Sequence, residues 1–112
     1  MTDAHAAHPF NRPMIELPAS PAEFRDASWN DVLPYYDRLA SIPLGGDTAE
    51  IESWLATWSR LDTLVSEAGT LAMIAYTGNT ADSTAEQAYL RFSMEIFPQL
   101  EEQQVRLARR LL

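Results

Sequence analysis

The stretch DTAEIESWLATWSRLDTLVSEAGTLAMIAYTGN, residues 47–79, decides the fold. Its first four residues, Asp47-Thr48-Ala49-Glu50, have the form of a capping box, in which Asp47 covers free N–H groups and Glu50 reaches back. Ile51, Leu55, Trp58, Leu61, Val65, Ala68, Ala72 and Tyr76 then recur at steps of three and four, and Trp54, Leu64, Leu71 and Ile74 widen the stripe. Gly78-Asn79 supplies a stop with left-handed tolerance. From Thr48 to Thr77 the spacing predicts one helix about 45 Å long at 1.5 Å per residue. Gly69 interrupts it at about 1 kcal/mol relative to Ala, so it either admits another backbone closely or weakens the middle.

A second long helix follows. Ser83-Thr84-Ala85-Glu86 is another capping box, or Asp82 caps one residue earlier. Its apolar stripe is Ala85, Tyr89, Phe92, Ile96, Leu100, Leu107 and Leu111, with Gln103 and Gln104 interrupting the seam. Pro98 should kink it, and Glu102 and Arg106 are an i,i+4 pair in the favourable orientation. The pattern reaches Leu112 without a Gly, Pro or Asn stop, as expected of a chain cut inside or at the end of a helix.

Ahead of the hairpin, Ser28 precedes Trp29, Asn30 and Asp31 as an N-cap with an acid in the first turn. Val32, Leu33, Tyr36, Leu39 and Ala40 continue a short helix, which Pro43, Gly45 and Gly46 end. Residues 1–25 hold Pro9, Pro13, Pro18 and Pro21 and predict an extended arm, with Phe10, Met14, Ile15, Leu17 and Phe24 able to pin it to a larger body. The expected class is all-α: an irregular Pro-rich N-terminal arm, one short helix, then a long antiparallel helical hairpin over the domain 26–112. Ala and Leu number 29 against 8 for Ile and Val, which also favours helix over sheet.

The 112 residues carry 16 acids against 8 bases, all Arg, for a net charge of −8. That field has the wrong sign for nucleic acid or for an anionic membrane surface, so neither is an expected partner. With no cysteine there is no disulfide framework and no thiolate metal site. Met1 to Phe10 lacks the basic flank and apolar run of a secretory signal, which makes the cytoplasm the expected location.

Residues that carry chemistry are scarce. His5 and His8 are the only histidines, stand in a segment without helix signal and have no third ligand nearby, so no metal site is expected from them. The acids mark helix starts and solvated faces, and nothing isolates one carboxylate from another as a catalytic pair requires. Arg106, Arg109 and Arg110 read as a cluster complementing the negative end of a helix. No residue is expected to be catalytic or to bind metal. Trp54, Trp58, Leu61, Tyr89, Phe92 and Ile96 are expected to pack against a missing body or a partner.

Trp29, Asp31, Leu33, Pro34-Tyr35-Tyr36, Leu39, Pro43-Leu44, Trp54-Leu55, Trp58-Ser59, Leu61 and Glu67-Ala68-Gly69 resemble the N-terminal region of oligoendopeptidase F-like zinc metallopeptidases of the thimet oligopeptidase family. Thr77, Asn79-Thr80, Asp82, Ala85-Glu86, Ala88-Tyr89, Phe92, Ile96 and Pro98 continue the likeness, which covers about Phe10 to Leu112. The resemblance implies a helical peptidase several times this length, with zinc held by an H-E-x-x-H helix and a further Glu, and a deep channel admitting short peptides. All of those metal and catalytic residues fall beyond Leu112, so this chain alone is expected to bind no zinc and hydrolyse nothing. From the periodicity itself, a free-standing helical hairpin that dimerises through its apolar stripes is the alternative.

Overall fold

The computed structural model describes residues 14–112, and every regular element among them is a helix. α1 spans Ala22–Asp26, α2 Val32–Ser41, α3 Thr48–Gly78 and α4 Ser83–Arg91. A π-helical turn, Phe92–Ile96, joins α4 to α5, Phe97–Arg109. The all-α class and the long hairpin hold, with α4 and α5 folding back along α3. No helix among the described residues is long and apolar enough to cross a membrane.

The ends of α3 and α4 follow from their caps. The Asp47 carboxylate accepts from the Ala49 N–H at 2.9 Å, and Asp82 accepts from Thr84 and Ala85 at 2.9 and 3.3 Å. Glu50 departs from the capping-box expectation: its carboxylate accepts from the Gly45 N–H at 3.2 Å. The expected left-handed stop is also absent, because Gly78 is still helical and Asn79 has φ −153°. The turn is closed by the Asn79 side chain, whose Oδ1 accepts from the Ala81 N–H.

Pro98 produces a wider turn in place of a simple kink. A proline ring collides with the carbonyl four residues back, and an extra residue in the preceding turn relieves the clash. Here the Phe97 N–H bonds to the Phe92 carbonyl five residues back, and the Gln99 side chain donates to the Glu95 carbonyl at 2.8 Å.

The N-terminal third differs most from the sequence reading. The expected irregular arm becomes helical at Ala22–Asp26, where Phe24 is buried. Ser28 is no N-cap: Ser28 and Trp29 have φ 54° and 66°, a left-handed pair that turns the chain between α1 and α2, and Asp31 occupies the N-cap position. What holds Trp29 there is burial and a hydrogen bond from its Nε1 to the Ala88 carbonyl at 3.0 Å. The described part of the arm crosses the body. The Met14 N–H donates to Thr57 Oγ1 at 2.9 Å, and Met14, Ile15 and Leu17 pack on the core, while Phe10 lies outside the described residues.

One core joins these pieces: Phe24, Trp29, Val32, Tyr36 and Leu39 meet Trp54, Leu61, Leu64, Val65, Ala68 and Ala72 of α3, and Ile96, Leu100 and Leu107 close it. The assembly is a slab of 51 × 39 × 17 Å. Two helices packed at about 9 Å with backbone radii of about 2.3 Å span roughly 14 Å, so the thinnest dimension is only two helices deep. Its radius of gyration, 16.1 Å, exceeds the roughly 13 Å of a spherical domain of this length. Among the described residues a slab this thin leaves α3 only partly covered, and its Leu55, Leu71, Met73 and Ile74 are exposed.

Candidate functional site

A groove of about 500 Å³ runs between α3 and the α4–α5 arm. Ser66, Thr70 and Met73 line one side, Tyr89, Ser93, Phe97 and Glu101 the other, and Tyr36, Asp62 and Gln104 lie at its base. The local sequence explains how the walls meet. Gly69 has no side chain, and a Cβ there would lie 2.6 Å from Phe92 Cζ. The Phe92 ring therefore enters α3's surface and packs on Trp29 at 4.8 Å between centroids, tilted by 47°. The close approach at Gly69 is thus by an aromatic ring, where the sequence suggested a backbone. Nearer the turn, Tyr76 stacks on Tyr89 at 5.5 Å.

A chain of polar contacts crosses the groove's base. Trp58 Nε1 donates to Gln104 Oε1 at 2.9 Å, and Gln104 Nε2 donates to Asp62 Oδ1 at 2.9 Å. The Tyr36 hydroxyl donates to the same Oδ1 at 2.5 Å, so neither bond uses Oδ2. Burial, and then the hydrogen bond and charge of Asp62, push the Tyr36 phenol well above its ordinary value of 10. It stays a neutral donor.

The six residues expected to pack divide in two. Trp54, Leu61 and Ile96 are covered by the chain itself, and Trp54 also donates from Nε1 to the Leu39 carbonyl at 2.8 Å. Trp58, Tyr89 and Phe92 are half-buried at or beside the groove. Asp62 and Gln104 were missed as a pair; the signal was Gln104 breaking the apolar seam of α5, since a polar residue at a core-facing position needs a partner. Arg110 complements a helix end as expected, but that of α2: Nη1 and Nη2 donate to the carbonyls of Leu39 and Ile42 at 3.1 and 2.5 Å. Arg106 bonds Asp37 at 2.7 Å, where the sequence suggested Glu102.

The model of the Peptidase M3 N-terminal domain matches residues 23–112. The chain belongs to the M3 peptidase N-terminal domain family. The match begins inside α1 and takes in α2 to α5, so the whole groove lies within the M3 domain. No curated protein and no solved structure matches the chain.

Zinc is the metal that the resemblance implies for the parent peptidase. Among the described residues of this M3 domain no three His, Cys, Asp or Glu side chains converge, and His5 and His8 lie outside the described residues. Asp62, at the groove's base, is already bonded by Tyr36 and Gln104. These residues do not fit a zinc ion, and no catalytic step is assigned to them.

Proposed function

We propose that this M3 domain is the non-catalytic N-terminal portion of an oligoendopeptidase F-like, zinc-dependent oligopeptidase of the cytoplasm, and that its slab forms part of the wall of a channel for short peptides. The observation that carries this reading is the family match over residues 23–112. The geometry supports it: a two-helix-thick slab with a partly covered α3 is suited to be one layer of a larger body. Zinc and the groups that activate water on it belong, in this reading, to the remainder of the polypeptide.

The test is to express the reading frame that contains this chain and assay it on short fluorogenic peptides and on a folded protein. Chelator-sensitive cleavage of the peptides alone is the expected result. Cleavage of neither, from a frame carrying no H-E-x-x-H, would reject the assignment. The second reading, a dimerising hairpin, draws on the exposed apolar side chains Met94, Phe97 and Val105, which are 73%, 51% and 51% exposed. A stable dimer of the isolated chain would favour it.

A further inference from the structure

We infer that the groove between α3 and α4–α5 seats a basic, apolar-flanked helix supplied by the remainder of the M3 peptidase, with one Arg or Lys of that helix bonding Asp62 and Glu101. This rests on the reading of the chain as the N-terminal portion of such an enzyme. The walls are apolar where they are open: Met73 is 42% and Phe97 51% exposed. Leu90, Met94 and Val105, on α4, α5 and the intervening π-turn, add exposed apolar surface beyond what a single small molecule would cover. A helical segment matches that extent, and the volume of about 500 Å³ accepts a few of its side chains.

Charge selects the helix. Among the described residues no Arg lines the groove, whereas Asp62 and Glu101 do. Three of the guanidiniums on and beside α4 and α5 are engaged elsewhere: Arg91 with Asn30 and Glu95, Arg106 with Asp37, and Arg110 with the carbonyls of Leu39 and Ile42. Tyr36 and Gln104 both bond Asp62 on Oδ1, which fixes the carboxylate while Oδ2 is left to accept from an incoming cation. A carboxylate already oriented by two donors loses little side-chain freedom on binding. The net charge of −8 favours the approach of a basic segment and disfavours an acidic one.

The probe is a synthetic amphipathic helix with one Arg between leucines on a single face, and a twin with Glu in place of Arg. Each is titrated into the 112-residue chain while tryptophan fluorescence and the amide resonances of Ser66, Thr70 and Ser93 are followed. The Arg peptide is expected to shift those amides and to bind at least about tenfold more tightly than the twin. Asp62→Asn, which keeps an acceptor for Tyr36 and Gln104, should reduce that preference, Asp62→Asn together with Glu101→Gln should erase it, and Phe97→Glu, at an exposed position, should abolish binding with unchanged circular dichroism. Equal affinity for both peptides, or shifts confined to other surfaces, would overturn the inference. So would a dimer that Phe97→Glu dissociates, because a second copy would then fill the groove. In the longer protein, a photo-crosslinker at Phe97 should capture an Arg- or Lys-bearing helix beyond Leu112, and capture of any other segment would overturn the assigned source. The peptide titration reads this chain alone, so it can fail while the peptidase assay succeeds, and the reverse.

Discussion

Replacing Ser28 by glycine is expected to stabilise the chain. Ser28 and Trp29 both hold left-handed φ, 54° and 66°, at a cost of about 1–2 kcal/mol for each L residue. Glycine at 28 removes that cost, while the freer unfolded chain takes back roughly 0.5–1 kcal/mol. The net gain is centred on about 0.75 kcal/mol, which for a domain of this size raises Tm by roughly 3–6 °C. Trp29 offers no such gain, because its buried ring packs on Phe92 and its Nε1 bonds Ala88. Ser28→Ala is the control. As an N-cap, Ser28 would lose about 1 kcal/mol on truncation, but it stands three residues ahead of the actual N-cap, Asp31, and the change should stay within about 0.5 kcal/mol. Thermal melts by far-UV circular dichroism, with urea titrations at constant m, measure both variants. A lower Tm for Ser28→Gly, or a loss of a full cap's worth for Ser28→Ala, would refute the left-handed turn and restore Ser28 as a helix start.

Three further outcomes follow from the contacts. Tyr36 is held neutral in the fold, whereas the unfolded chain ionises near 10, so its contribution is intact below that pH and falls as pH rises above it; Tyr36→Phe should flatten the alkaline loss seen in urea titrations at successive pH values, and an unchanged slope would contradict the buried donor. Gly69→Ala should lose about 1 kcal/mol although alanine is the better helix former, because its Cβ meets the Phe92 ring wedged on Trp29, and Phe92→Leu in the same background should recover most of the loss; a gain from Gly69→Ala alone would show that the ring moves freely. Arg110→Met keeps much of the packing on Trp54 but deletes two bonds to α2 carbonyls, and an equilibrium unfolding measurement should show a loss of about 1–3 kcal/mol.

Elements whose logic is local were legible from the residues. The cap at Asp47, the stripe from Ile51 to Tyr76 and the cap at Asp82 place both ends of α3 and the start of α4 within a residue of where they lie. What escaped depends on partners distant in sequence. The left-handed turn at Ser28 exists because the Trp29 ring is held by Ala88 and Phe92, some 60 residues away, and nothing around Ser28 announces it. The π-turn is half-legible, since Pro98 demands a disturbance without saying which kind. Within the groove, Tyr89 and Phe92 stood out as aromatics at helical spacing, while Asp62 looked like any solvated acid on an amphipathic helix until Tyr36 and Gln104 were seen on it. At Gly69 the sequence leaves close approach by a backbone and a weakened helix both open, and only the fold supplies the ring that fills the space.

The central claim is that this M3 domain is one layer of a larger peptidase, and the gene sequence past the codon for Leu112 tests it most directly. The account expects an open frame continuing through H-E-x-x-H, or a separately encoded partner carrying that motif. A stop codon with no such partner would contradict the account and leave a helical binding module.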